Sequence, residues 1–120
     1  MITKSLIQQC KMKLLDMKGR LLNQLQDQRE FLANREFSGD EGDLSVHAND
    51  ENQLYVRNMR VREHLLEVEY ALSRIENGQY GFCEETQEPI ESERLLALPW
   101  TRLSIEGAEM REAQRRRRTE

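Results

Sequence analysis

Apolar residues recur at intervals of three and four along most of the chain. Ile7, Cys10, Leu14, Met17 and Leu21 step by 3, 4, 3 and 4, the spacing of one buried helix face in a heptad pattern. Leu25 and Leu32 continue it with a small drift. The spacing predicts one helix over 3–36, with Thr3 or Ser5 as its cap and Gly19 as its weak point. The pattern breaks at Phe37-Ser38-Gly39-Asp40-Glu41-Gly42-Asp43, where glycine, serine and aspartate supply turn chemistry. A second helix is predicted from about Leu44 to Asn77, with a seam of Leu54, Asn58, Val61, Leu65, Val68, Leu72 and Ile75. Asn77-Gly78 ends it.

Two helices of similar length joined by a short loop fold back antiparallel. That register puts Ile75 near Ile7, Val68 near Leu14 and Val61 near Leu21, and Asn58 near Gln24 and Gln28. The seam therefore turns polar toward the loop, either to set the register or because that half is wetter and looser. Helices of about 30 residues are about 45 Å long. The predicted fold class is mainly α: a long antiparallel coiled-coil hairpin over 1–77, with a tip near 38–45, and a small module over 78–120.

That module reads differently. Tyr80-Gly81-Phe82-Cys83 and Glu88-Pro89-Ile90 are turn and short-strand material. Phe82, Leu95, Trp100 and Leu103 are expected to form a small core. The chain turns helical again from about Thr101 to Arg118, with Leu103, Ile105, Ala108 and Met110 as apolar positions.

Composition narrows the function. Of 120 residues, 38% are apolar and 33% charged, and the net charge is −4. The charge is uneven: six acids and no Lys or Arg lie between Glu36 and Glu51, and five Arg and one Glu between Arg111 and Arg118. An acidic chain is a poor free-standing DNA binder, because nucleic-acid affinity rests on phosphate neutralisation. The acidic block suits a basic groove or metal-containing site on another protein. No stretch approaches a membrane span or a signal peptide. Cys10 and Cys83 read as two reduced thiols, with a disulfide as the alternative. No Gly-rich phosphate loop, nucleophile–His–acid set or metal cluster suggests an enzyme, and no catalytic residue is expected.

The segment Gly78-Gln79-Tyr80-Gly81-Phe82-Cys83, followed by Pro89-Ile90, Arg94-Leu95, Ala97 and Pro99, resembles the zinc-finger module of the DksA/TraR family. The resemblance extends upstream through both helices. It places Asp40 and Asp43 on the family's paired tip aspartates, and Ser45 where the family has Ala. It also brings a departure. The four positions that carry zinc-binding cysteines in the family read Cys83, Thr86, Ser104 and Gly107 here. One thiol and two hydroxyls do not make a tetrahedral thiolate site, and His47 and His64 are not expected to reach Cys83. No zinc and no other cofactor are therefore expected. The module is expected to rest on packing of Phe82, Leu95, Leu96, Leu98, Trp100 and Leu103 against the hairpin base, with Ser104 capping the last helix.

The resemblance implies a cytoplasmic, monomeric regulator that binds bacterial RNA polymerase. It implies that the hairpin enters the secondary channel, that the tip modulates open-complex stability, and that there is no DNA contact, no membrane and no chemistry of the chain's own. Arg60, Arg94, Arg115 and Arg116 are candidate polymerase contacts. The family positions that help to bind the alarmone ppGpp match Arg60, Glu67, Leu98 and Ala108. Glu67 would repel a polyphosphate, so weak or absent ppGpp synergy is expected. Other readings stay open. Asp40 and Asp43 also suit an ordinary turn, with Asp43 as a helix cap. The Arg run also suits a solvated helix end or nucleic-acid contact. The alternative class is a coiled-coil adaptor, which free apolar residues on the outer helix faces would favour, with Leu15, Leu22 and Leu66 beside the seam. A Gre-type cleavage factor shares an acidic-tipped hairpin but usually carries another C-terminal domain.

Overall fold

A computed structural model describes residues 2–36 and 44–119, and within its helices leaves aside the side chains of 31–32, 34–36 and 44–50. Four helices follow in order: α1, Lys4–Glu36; α2, Leu44–Glu76; α3, Ser92–Ala97; and α4, Ile105–Thr119. The first two form the hairpin. Their ends follow the local chemistry. Thr3 Oγ1 accepts from the Leu6 amide at 3.1 Å and its carbonyl accepts from Ile7, so Thr3 caps α1. At the end of α2, Gly78 sits at φ +73°. Its amide donates to Ile75 and that of Gln79 to Arg74, the paired bonds of a Schellman stop.

The predicted seam separates inside from outside. Cys10, Leu14, Leu21 and Val68 are buried, and Met17, Leu25, Leu54, Asn58, Val61, Leu65, Leu72 and Ile75 are half-buried. Leu15, Leu22 and Leu66, beside the seam, are exposed. By its contacts the chain divides into two compact units, one of Met1–Asp16 with Glu67–Glu120 and one of Met17–Leu66. Among the described residues, the largest fully buried side chains, Leu14, Leu95, Val68, Cys10 and Cys83, belong to the first.

The small module differs from expectation in four places. Residues 92–97 form a short helix, α3, where the sequence pattern predicts no element; it ends as Leu98 becomes extended before Pro99. The last helix starts at Ile105 rather than near Thr101, because Ser104 caps it: the Gly107 amide donates to Ser104 Oγ at 3.0 Å. Phe82 is 44% exposed and is not part of the core. It pairs with Pro89 in an isolated antiparallel bridge. Extended residues alternate faces, so the inward turn of Cys83 sends Phe82 outward. Leu95 is buried as expected, and Leu96, Leu98, Trp100 and Leu103 are half-buried. Ile105 and Met110 are exposed, so the apolar face of α4 is narrower than predicted. Tyr80 and Ile90 complete the core instead.

The seam yields a paired test. Leu14→Ala should cost about 2–5 kcal/mol in urea unfolding followed by circular dichroism, the usual cost of a buried Leu deletion. Leu15→Ala, one residue along but half exposed, should stay within about 0.5 kcal/mol.

Candidate functional site

Cys83, Thr86, Ser104 and Gly107 converge in the fold. Between Gly81 and Ile90 the chain makes a tight knuckle. The Cys83 amide donates to the Glu88 carbonyl at 2.8 Å, Ile90 to Gly81 at 2.7 Å and Gln87 to Cys83 at 2.9 Å. Gln87 holds a left-handed backbone, φ 64°, to make the return. On the other side, the cap of α4 brings Ser104 and Gly107 against the knuckle. Cys83 is 1% exposed. A Cβ added at Gly107 would run into Cys83 Sγ, so glycine there leaves the sulfur its room.

The electrostatics of that sulfur are inverted relative to a metal site. In a zinc knuckle a cation sits among thiolates. Here one sulfur sits among donors. Burial pushes the Cys83 thiol up, but hydrogen bonds from the side chains and backbones of Ser104 and Thr86 outweigh it and bring it down to about 6. Ser104 can serve both partners, because a hydroxyl donates its proton while accepting the Gly107 amide. Among the described residues, no group of three or more His, Cys, Asp or Glu could hold a metal ion. Both cysteines are free thiols.

Three further side chains hold the module, and the sequence reading missed their roles. Arg74 is 8% exposed although charged. Its guanidinium donates to the carbonyls of Gln79 at 2.9 Å and Phe82 at 2.7 Å, which pins the knuckle to the end of α2. The Tyr80 hydroxyl donates to the Pro99 carbonyl at 2.8 Å; burial, then the neighbouring Cys10, push its proton affinity well above the ordinary range. Arg111 on α4 bridges Glu85 at 2.7 Å and Glu84 at 3.3 Å. Arg111 lies 26 residues from Glu85 and 27 from Glu84, and no local pattern joins them.

The remaining candidate residues lie apart. Arg60 is exposed on α2, beside Asn52, Gln53, Val56 and Arg57 in a shallow groove. Arg94 is half-buried, and its Nε donates to the Leu103 carbonyl at 2.8 Å. Arg115 lines a groove along α4 with Leu103, Ala108, Arg111 and Arg118. Arg116 is exposed and lies 3.6 Å from Glu112. Asp40 and Asp43 lie outside the described residues, as do the side chains of Ser45 and His47.

Residues 78–113 match the family model described as the prokaryotic dksA/traR C4-type zinc finger. The chain is 34% identical over 110 residues to the RNA polymerase-binding transcription factor DksA of Caulobacter vibrioides, covering 88% of this chain and 75% of that protein. It is 38% identical over 110 residues to the uncharacterized protein YteA of Bacillus subtilis, of which it spans only 46%. The structure of transcription factor DksA2 from Pseudomonas aeruginosa superposes with a TM-score of 0.87 at 29% identity, over 94% of this chain and 88% of that one. The zinc implied by a C4-type finger does not fit here: three of the four ligand positions carry no thiol, and Cys83 Sγ already packs against Gly107 and the Ser104 cap.

Two outcomes follow from the sulfur site. A chelator should leave the thermal midpoint of the purified protein unchanged, and stoichiometric zinc by elemental analysis would overturn the metal-free assignment. The second is a pH dependence. The Cys83 thiol falls from an ordinary 9.0 to about 6 in the fold, so thiolate stabilisation is full above 9.0 and disappears as pH drops through 6. Wild-type stability relative to Cys83→Ser should therefore rise between pH 6 and 9 in denaturant unfolding, and stay level below pH 6.

Proposed function

The chain belongs to the DksA/TraR family, and on that premise we propose that it regulates transcription by binding bacterial RNA polymerase. The carrying observation is the superposition on DksA2 over 94% of the chain, together with 34% identity to a factor named for polymerase binding. In this reading the hairpin enters the secondary channel, and Asp40 and Asp43 approach the active centre, where negative charge meets catalytic Mg²⁺ and basic residues. The tip then changes open-complex lifetime by binding alone. Ser45 in place of Ala adds a hydroxyl beside the tip and would tune its strength.

The module supplies the docking base. Arg60, Arg115 and Arg116 are exposed and available to an acidic polymerase surface. Arg94 serves less well, since its Nε is committed to Leu103. Glu67 at the alarmone-matching position argues against ppGpp synergy. The protein would act in the cytoplasm as a monomer, without contacting DNA itself. Among the described residues no helix is long and apolar enough to cross a membrane. One observation favours the adaptor reading: Leu15, Leu22, Tyr55, Met59 and Leu66 are all exposed on the two long helices.

Promoter-complex lifetime and polymerase pull-down distinguish the readings. Asp40→Asn with Asp43→Asn should leave polymerase binding intact and abolish the lifetime effect. Absence of polymerase binding by the wild type would leave the adaptor in front. Added ppGpp should change the wild-type effect less than twofold, and a strong enhancement would overturn the role given to Glu67.

A further inference from the structure

The unit of Met17–Leu66 is held together differently from the rest of the described chain. Among its described residues only Leu21 is buried, at 8% exposure, whereas Leu14 and Val68 in the other unit are fully buried. Its remaining described seam residues, Met17, Leu25, Leu54, Val61 and Leu65, are half-buried. Two polar side chains occupy seam seats. Gln28 falls seven residues after Leu21 in the series Ile7, Leu14, Leu21, and Asn58 falls seven before Leu65. The side-chain oxygens of both, Gln28 Oε1 and Asn58 Oδ1, are buried without a hydrogen-bond partner.

A buried acceptor with no partner costs on the order of 1–3 kcal/mol, and water repays that cost when the seam opens. An apolar pair at the same seats would instead lose its burial on opening. Polar defect and shallow burial act in the same direction here. We infer that the stretches 17–30 and 51–66 open together as a separate cooperative segment, with Gln28 and Asn58 as the built-in defect that lets the two helices part there while 5–16 and 67–76 stay folded. Local opening of this kind populates states well below the global unfolding free energy. The two residues thus set how readily this half of the hairpin rearranges when it meets a partner. The inference rests on packing within the unit and does not depend on the polymerase reading.

Native-state hydrogen exchange by mass spectrometry on the full chain tests it. Amides in 17–30 and 51–66 should exchange at least tenfold faster than those in 5–16 and 67–76. Asn58→Leu, which removes one orphan acceptor and adds apolar surface, should slow exchange in 17–30 and 51–66 by about tenfold and leave 5–16 and 67–76 within twofold. Val68→Ala should do the reverse, speeding exchange in 67–76 while leaving 51–66 unchanged. Equal protection of the two sets in the wild type would overturn the inference. So would an Asn58→Leu protein whose 51–66 amides exchange at the wild-type rate or faster, since the defect would then not control the opening.

Discussion

A finger-like knuckle has too little apolar surface to close on itself, so something must tie its two ends together. In a metal-bound finger that tie is worth about 10–16 kcal/mol. Here the donors of Thr86 and Ser104 meet at the Cys83 sulfur, joining the knuckle to the first turn of α4. Hydrogen bonds to a charged group contribute about 1.5–3 kcal/mol each, and bonds that share one sulfur do not add in full. The sulfur site alone therefore falls short of what a metal gives. The deficit explains why so much else converges on the same small module.

That support comes from the hairpin base. Arg74 reaches out of α2 to two carbonyls of the knuckle. From α1, the Cys10 thiol donates to the Leu95 carbonyl at 3.6 Å and Lys13 Nζ to the Leu96 carbonyl at 2.9 Å, so both hold α3. Ile2 packs over Gly81, which sits at φ +94° and has no side chain to obstruct it. Tyr80, Ile90 and Leu95 add burial worth about 1.5–3 kcal/mol for each large apolar side chain. The module thus rests on the helices beside it. The contact division, which groups Met1–Asp16 with Glu67–Glu120, expresses that dependence.

This also decides what the sequence could disclose. The hairpin seam was legible because a 3,4 spacing has one physical meaning over many turns. Leu14 and Leu15 are adjacent and equally apolar, yet the spacing alone separates the buried one from the exposed one. Cys83, Thr86, Ser104 and Gly107 were legible as a set that converges, and Ser104 as a cap. Arg74 was not, since an arginine in the last turn of a helix ordinarily serves the dipole in solvent. Its burial depends on carbonyls that the turn after Gly78 presents, a tertiary arrangement with no local signal. Phe82 misled for the same reason: size favours burial, but strand alternation around Cys83 decides the direction. The tip aspartates were read from family register, and the described residues leave that reading to experiment.

The two halves of the hairpin thus answer different demands. Where α1 and α2 meet the module, the seam carries Cys10, Leu14 and Val68 with almost no exposed surface, and the polar groups nearby find carbonyl partners. Toward the loop the same heptad seats carry Gln28 and Asn58, and their oxygens find none. Propensity does not require this contrast, since Leu at either seat would lengthen the apolar seam at no local cost. The buried polar groups are satisfied in one unit and orphaned in the other, so the contrast lies in which side chains sit at the seam seats and not in helix propensity.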